Sequence, residues 1–326
     1  MIFVTGGTGF IGSNIVATLN ERGVTDIIIL DSLGHESKWK NIAKRRFYDV
    51  VTPDRIESFL STAPRAEAVF HMGAISSTTA SDGDEILRTN FQLSARLWDW
   101  CARQRTPFIY ASSAATYGDG SNGFTDDESA PALDKLRPLN LYGWSKHAFD
   151  RWALERVAAG IAPPQWAGLK FFNVYGPNES HKGDMQSLVA KNTAAVAAGE
   201  TISLFRSHRE DFRDGQQLRD FVYVADCVAV MMWLLEHKDV SGLFNLGTGK
   251  ARSFLDLTLA IGAALNKNVD VRYVDMPLSI RDRYQYFTQA DMSKLQRAGC
   301  NIPFHSLEGG VADYVLSYLT QSDPYR

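Results

Sequence analysis

The chain has 326 residues, of which 45% are hydrophobic, and a formal net charge of -3 at pH 7. A chain of this length can bury a large core without disulfides or a structural metal, but it is short for two independent domains. The near-neutral charge gives no electrostatic reason to expect nucleic acid or an anionic membrane as a partner, so we predict neither.

Short apolar runs alternate with helix-length amphipathic stretches through the first half of the sequence. This alternation predicts a parallel sheet with helices on both faces and right-handed crossovers. The predicted strands are Ile2–Thr5, Asp26–Leu30, Arg46–Val50, Glu67–His71 and Pro107–Ser112. The predicted helices are Phe10–Arg22, Asp54–Thr62 and Asp84–Arg103.

After about Phe172 the pattern is less regular, and two apolar runs, Phe221–Val224 and Leu243–Leu246, are predicted to return to the main sheet. The predicted fold class is α/β, a Rossmann-type doubly wound parallel sheet with a smaller, discontinuous α/β lobe. We expect the main domain at 1–172 with returning segments at about 219–248, and the lobe mainly at 173–218 and 249–326. Further predicted elements are strands at Ile202–Phe205 and Val269–Asp275 and helices at Met185–Ala198, Ala225–His237 and Phe254–Asn266.

The three cysteines, Cys101, Cys227 and Cys300, are far apart and have no metal-ligand spacing. An odd number of scattered cysteines argues against a disulfide framework and favours a reducing compartment. The sequence shows no signal-peptide pattern and no apolar stretch of membrane-spanning length. We therefore expect a cytoplasmic protein without a metal site.

A glycine-rich turn follows the first predicted strand and opens the first predicted helix. Gly6, Gly9 and Gly12 form a GxxGxxG pattern. Glycines permit a tight turn and a close approach of the backbone to a pyrophosphate, and the helix N-terminus offers free N–H groups to the anion. This context predicts a dinucleotide site and not an ordinary turn.

Asp31 ends the second predicted strand, at the position where an acidic residue binds the adenosine ribose of NAD. Lys38, Lys44, Arg45 and Arg46 follow it, and any of these cations is able to pair with the 2′-phosphate of NADP. From these residues alone, the choice between NAD and NADP as cofactor stays open.

Tyr142 and Lys146 form a YxxxK motif on a predicted helix, and four residues make one turn. A free tyrosine titrates near pH ~10, so its pKa has to fall by roughly three units before it works as a base at neutral pH. A nearby ammonium favours the phenolate. Ser113 ends a predicted central strand and is placed to donate a hydrogen bond to the substrate oxygen during proton transfer.

The glycine turn, the strand-end serine and the YxxxK motif occur in the order found in the extended short-chain dehydrogenase/reductases, and the chain resembles that family. Phe70–Ala74, Asn90 and Phe171–Pro177 occupy the places of further characteristic stretches. The resemblance runs from Met1 to about Tyr318. Members reduce, epimerise, dehydrate or decarboxylate nucleotide sugars, so the common machinery selects no single reaction.

Narrower stretches are similar to those of the ADP-glyceromannoheptose 6-epimerases, namely Ser76–Thr79, His181–Met185, Arg219–Val224 and Arg283–Asp291. Those enzymes hold NADP and convert the D-glycero to the L-glycero form of an ADP-heptose for the inner core of lipopolysaccharide. The resemblance therefore implies NADP as cofactor, an ADP-heptose as substrate and a homo-oligomer, a pentamer in that family.

The same resemblance implies roles for individual residues. Tyr142 and Lys182 would be the two acid/base residues, assisted by Lys146 and Ser113. The cofactor contacts predicted from the turn and the resemblance together are Gly6, Gly9, Phe10, Ile11, Gly12, Asp31, Ser32, Lys38, Met72, Gly73, Ala74, Ile75, Ser76, Asn90, Tyr142, Lys146, Val174 and Lys182. The implied substrate contacts are Ser113, Asn173, Asp184, Lys191, Phe205, Arg206, Ser207, His208, Arg219 and Tyr284.

The sequence departs from the family pattern in three places. Thr89 stands where an asparagine is expected, which leaves Asn90 as the candidate. A basic cofactor contact expected near Pro53 is missing, with Arg45 and Arg46 as replacements. The connection 209–217 is longer than in short members, so the substrate arginine is either Arg219 or Arg213.

Two alternatives differ from the epimerase prediction. A dehydratase or 4-epimerase of the same fold would share everything up to Tyr142, but a dehydratase usually has carboxylates after the strand-end serine, and here that stretch is Ser113–Thr116. A cofactor-sensing binding protein would be expected to have lost the YxxxK motif or the serine, and both are intact.

Overall fold

The computed structural model describes residues 1–34, 37–281 and 284–326; Arg283, in one of the similar stretches, lies outside the described residues. The strands are β1 (Ile2–Thr5), β2 (Ile27–Leu30), β3 (Asp49–Val51), β4 (Ala68–His71), β5 (Phe108–Ser113), β6 (Trp166–Phe171), β7 (Asn173–Tyr175), β8 (Ile202–Phe205), β9 (Leu218–Tyr223), β10 (Gly242–Leu246), β11 (Ala251–Ser253) and β12 (Val271–Val274). The α-helices are α1 (Phe10–Glu21), α2 (Ile56–Thr62), α3 (Gly83–Ile86), α4 (Leu93–Gln104), α5 (Ala130–Leu133), α6 (Leu141–Ala158), α7 (Leu188–Ala198), α8 (Val224–Glu236), α9 (Phe254–Leu265), α10 (Leu278–Arg281), α11 (Ser293–Arg297) and α12 (Leu307–Tyr314).

A seven-stranded sheet forms the centre of the main domain, with the order β10-β6-β5-β4-β1-β2-β3. Every neighbouring pair is parallel. The chain builds β2 and β3 on one side of β1, and then returns to build β4, β5 and β6 on the other. The strand order therefore reverses between β1 and β4, and a crevice opens there at the carboxyl ends of the strands. The predicted doubly wound α/β fold is confirmed.

One of the two predicted returning strands is assigned correctly and the other is wrong. β10 pairs with β6 at the edge of the main sheet. β9, predicted as Phe221–Val224, belongs instead to a separate three-stranded sheet, where it pairs with β7 and β11. The apolar pattern identifies a buried strand, but it does not specify the partner. Because β10 already pairs with the free edge of β6, β9 cannot pair with that edge.

The predicted helix Asp84–Arg103 is divided into three parts. α3 and α4 are separated by a π-helical turn, Leu87–Gln92, in which Asn90 is buried. Such turns insert one extra residue per turn and re-aim the side chains that follow. Amphipathic periodicity does not distinguish this turn from a continuous helix.

The alternation of side chains along each strand supplies apolar residues to both faces of the sheet. Ile2 and Val4 pack in a core with α1 and α8, whereas Phe3 packs in a second core with α4 and α6. A third core joins α7, α9 and α12 to β8 and β9, and it forms the smaller lobe. Among the described residues, no helix is long and apolar enough to cross a membrane.

Candidate active site

A cavity of about 630 Å³ lies at the switch point of the sheet. It brings together the glycine-rich turn, the ends of β4 and β5, the start of α6 and the loop after β7. The predicted site residues in its walls are Gly6, Gly9, Phe10, Ile11, Gly12, Asp31, Lys38, Met72, Gly73, Ala74, Ser76, Ser113, Tyr142, Lys146, Asn173, Val174 and Lys182. Within the described part of the chain, no group of three His, Cys, Asp or Glu side chains is placed to hold a metal.

The glycine turn is closed so tightly that side chains are excluded. Gly6 has a φ of +64°, and a Cβ there would lie 2.7 Å from the backbone N of Gly73. A Cβ on Gly12 would lie 2.1 Å from the carbonyl oxygen of Gly6. α1 begins after Gly9 without a side-chain cap, so its first N–H groups remain available. The turn therefore fits a pyrophosphate at a helix N-terminus.

Asp31 and Lys38 form an ion pair at one end of the cavity. The Lys38 Nζ lies 3.1 Å from Asp31 Oδ1 and donates to the carbonyl of Ser32 at 2.8 Å. The backbone N–H of Thr8 donates to the other oxygen, Asp31 Oδ2, at 3.1 Å. Asp31 therefore holds the Lys38 ammonium in the cavity wall beside the turn.

The other cations considered for that phosphate lie elsewhere. Lys44 is 2.8 Å from Asp323 and also donates to the carbonyl of Tyr325. Neither Arg45 nor Arg46 contributes to the cavity wall, and Arg45 lies close to Arg326. Charge and spacing in the sequence suggested all of these residues, but only Lys38 faces the cavity.

Tyr142 and Lys146 are presented by the first turns of α6. Asn140 caps this helix by accepting a hydrogen bond from the Gly143 N–H at 2.8 Å, which fixes its start beside the end of β5. Ser113 is the last residue of β5 and lines the same cavity. The structure thus brings the predicted serine, tyrosine and lysine together.

Burial controls the protonation of both groups on α6. It raises the pKa of the Tyr142 phenol; the Ser113 hydroxyl lowers this pKa and the Asp150 carboxylate raises it. Burial also lowers the pKa of Lys146 to about 8, although Asp150 acts in the opposite direction. Lys146 is therefore mostly protonated at pH 7. The protein groups alone keep Tyr142 neutral, so a phenolate needs further positive charge.

Lys182 lines the same cavity from a short 3-10 turn after β7, Ser180–Met185. Its Nζ lies 5.1 Å from the centre of the Phe10 ring, within the range of a cation–π contact. Burial lowers the pKa of Lys182, and Glu179 partly opposes this effect. A hydrogen bond of 2.9 Å from Asn14 to the Pro177 carbonyl fixes the loop to α1. Lys182 is thus a positioned amine that loses its proton more easily than a solvated lysine.

Three of the predicted substrate contacts, Arg219, Tyr284 and Phe205, form an aromatic and basic cluster in the smaller lobe. Arg219 is buried, and its guanidinium lies 5.0 Å from the Tyr284 ring and 5.5 Å from the Phe254 ring. Phe205 packs edge-on against Tyr284. Arg213 is exposed, so the structure favours Arg219 as the arginine of this cluster.

Several predicted contacts lie outside the cavity wall. The Asn90 side chain is buried behind it and forms two hydrogen bonds with the backbone of Ile75, at 2.8 and 3.0 Å. The exposed Lys191 donates to the carbonyl of Asp184 at 2.6 Å. Asn90 therefore holds a segment of the wall in place. The remaining predicted contacts outside the wall are Ser32, Ile75, Asp184, Arg206, Ser207 and His208.

The cavity also contains residues that the sequence did not single out as contacts. His181 lies in the wall, and the Asn41 amide Nδ2 lies within hydrogen-bond distance, 3.1 Å, of its Nδ1. Gln285 and Thr288 line the wall from the segment that carries Tyr284. These residues belong to stretches that resemble those of the family, but sequence spacing does not show which of their side chains face the cavity.

Residues 2–247 match the model of the NAD dependent epimerase/dehydratase family. The chain belongs to this family. A family relative from Fusobacterium nucleatum, named ADP-L-glycero-D-manno-heptose-6-epimerase, is 48% identical over 334 residues, covering 100% of this chain and 100% of the relative. This similarity confirms the resemblance that the sequence motifs indicated.

Solved structures of the family have the same fold. The ADP-L-glycero-D-manno-heptose-6-epimerase of Helicobacter pylori is 27% identical, with a TM-score of 0.77, over 97% of this chain and 95% of that chain. A UDP-glucose 4-epimerase from Thermus thermophilus, solved in complex with NAD, is 25% identical, with a TM-score of 0.73, over 97% of this chain and 98% of that chain. An NAD-type dinucleotide is therefore the cofactor class of this family.

Proposed function

We propose that this protein is an NADP-dependent ADP-L-glycero-D-manno-heptose 6-epimerase, which inverts C6 of ADP-D-glycero-D-manno-heptose during synthesis of the lipopolysaccharide inner core. The observation that carries the proposal is the shared cavity, in which Tyr142 from α6 and Lys182 from the segment after β7 line the same space beside a dinucleotide turn. The full-length relative with that name supports the choice of substrate.

The residues of the chain divide the proton transfers between two substrate poses. Bound NADP supplies the acceptor and donor of hydride at C6. Tyr142 takes the proton of the C6 hydroxyl in one pose, and Ser113 hydrogen-bonds to the same oxygen. After the ketone turns in the cavity, its oxygen points the other way. In that pose, Lys182 donates the proton to this oxygen as hydride returns to C6. The lowered pKa of Lys182 makes its ammonium a better proton donor than that of a solvated lysine.

The smaller lobe would hold the nucleotide part of the substrate. Arg219 is a buried cation between two aromatic rings, and such a cluster suits an adenine ring and a diphosphate. Residues 1–172, with returning segments within 219–248, would hold the cofactor, and residues 173–218 and 249–326 mainly the substrate. Asn173 lies at the junction, in the cavity wall.

We further propose that the protein works in the cytoplasm. Cys101, Cys227 and Cys300 are all buried free thiols, which suits a reducing compartment.

The assignment is tested by incubating the purified protein with ADP-D-glycero-D-manno-heptose and following the C6 configuration by NMR. We expect conversion to the L-glycero form without any change in mass. A product lighter by one water would identify a dehydratase, and unchanged substrate with cofactor bound would identify a binding protein. Inversion of UDP-glucose at C4, with ADP-heptose left unchanged, would identify a 4-epimerase.

The choice of NADP is tested by Lys38→Ala. The ammonium is held beside the turn by Asp31, and a charge-assisted hydrogen bond to a 2′-phosphate is worth about 1.5–3 kcal/mol. We therefore expect NADP affinity to fall at least about tenfold and NAD affinity to change little. Calorimetric titrations at one ionic strength measure both. Lys44→Ala is the matched control, because Lys44 pairs with Asp323 and should leave both affinities unchanged. Equal losses for the two cofactors would rule Lys38 out as the phosphate contact.

A further inference from the structure

A buried ion pair lies directly behind the proton-transfer groups. Lys170 on β6 and Asp150 on α6 have side chains that are 1% and 0% exposed, and the Lys170 Nζ lies 2.8 Å from Asp150 Oδ2. The Ser112 hydroxyl donates to the same oxygen at 2.7 Å, and the Tyr110 hydroxyl donates to Oδ1 at 3.0 Å. One carboxylate therefore ties α6 to both β5 and β6.

A buried ion pair often contributes little net stability. The cost of desolvating two charges often exceeds their attraction, and apolar residues of similar volume frequently replace buried pairs without loss of stability. This pair does have full partners, since Lys170 also donates to Thr116 at 2.8 Å. Neither charge takes part directly in the proposed reaction. The position of the pair relative to the site therefore indicates what it does.

The pair is connected to the reacting groups through both elements that present them. Asp150 follows Lys146 by one helical turn and Tyr142 by two, so the three side chains share one face of α6. Ser112, which donates to Asp150, immediately precedes Ser113 on β5. The carboxylate thus fixes the end of β5 against the face of α6 that carries Tyr142 and Lys146.

We propose that the Asp150–Lys170 pair is a positioning unit that sets both the separation of Ser113 from Tyr142 and the charge on Lys146. Its carboxylate is the negative charge next to Lys146 on α6, and Lys170 anchors that carboxylate from β6. The unit acts through other residues and touches neither cofactor nor substrate. Its relevance to turnover rests on the proposed roles of Ser113, Tyr142 and Lys146.

The other groups around Lys146 do not supply this charge. Tyr142 on α6 is neutral, because burial raises its pKa. His71 on β4 is also neutral, because burial and the charge of Lys146 hold its pKa at about 3. β5 contributes the hydroxyls of Ser112 and Ser113, and the segment after β7 contributes another cation, Lys182. Asp150 is the group that opposes the burial of the Lys146 ammonium.

The test is Asp150→Asn compared with Tyr110→Phe. The first variant removes the charge but keeps a side chain of the same shape, and the second removes a hydrogen bond to Asp150 but keeps the charge. For Asp150→Asn, we expect both limbs of the pH profile of kcat/KM to move toward acid by about one unit, because the carboxylate raises both pKa values. For Tyr110→Phe, we expect no such move.

A second readout does not depend on the substrate. Titration of ¹³C-labelled lysine side chains by NMR, with Lys146→Met to identify the signal, should show the same shift toward acid in Asp150→Asn. If that variant does not fold because Lys170 is left unpaired, Asp150→Asn combined with Lys170→Met removes both charges, and a smaller shift in the same direction is expected. An unchanged Lys146 titration in either folded variant would overturn the proposal. A wild-type protein inactive on ADP-heptose would contradict the proposed function but leave this comparison valid.

Discussion

Replacement of Tyr142 by phenylalanine is expected to lower kcat by about 10²–10⁴-fold, the usual contribution of a positioned acid or base. The ring remains to pack at the start of α6, so the fold and the bound cofactor should be retained. Turnover of ADP-heptose, cofactor content after denaturation and thermal unfolding measure these three properties. The expected pattern is a loss of the chemical step alone.

Tyr48→Phe is the matched control, because this phenol is 73% exposed and lies outside the cavity. It should leave kcat unchanged. A Tyr142→Phe enzyme with kcat within a few-fold of the wild type would exclude the phenol from proton transfer. Ser113 would then be the hydroxyl to examine in its place.

Replacement of Lys182 by methionine should abolish epimerisation in both directions, with a loss of at least about 10²-fold. Methionine keeps the aliphatic stem against the Phe10 ring but removes the amine. Because Tyr142 serves the other pose, one half-reaction should survive. With NADPH supplied as the hydride donor, a substrate analogue already oxidised at C6 should therefore still be reduced, but to one stereoisomer only.

Product stereochemistry, determined by NMR, distinguishes this result from general damage. Lys238→Met, at an exposed lysine outside the cavity, is the control and should epimerise normally. Near-normal epimerisation by Lys182→Met, with unchanged substrate affinity, would make Lys182 a solvated loop lysine. Tyr142 would then have to serve both faces.

Local patterns predicted those parts of the site that depend on short stretches of chain. The glycine turn, the YxxxK helix and the strand-end Ser113 each follow from spacing within a few residues, and doubly wound topology then places them at one edge of a sheet. Short continuous apolar runs, alternating with helix-length stretches, likewise predicted most of the main sheet.

Contacts between distant segments were not predictable in the same way. The pairing of Asp150 with Lys170 joins a helix to a strand, and neither residue belongs to a recognisable motif. Four cations in the sequence were candidates for the 2′-phosphate, and only the fold shows that Lys38 lines the cavity and the other three do not. Asn90 was predicted to contact the cofactor, but its amide is occupied by the backbone of Ile75.

The route of the chain between β6 and β10 has a consequence for folding cooperativity. A fragment ending at residue 172 would lack β10 and leave the hydrogen-bonding edge of β6 unpaired along Ala167–Phe171. It would also lack α8, whose apolar residues cover one face of the sheet together with α1. Exposed edges and uncovered apolar faces favour aggregation. The main domain is therefore completed only by chain that has already passed through the smaller lobe, and we expect the two lobes to unfold in a single transition.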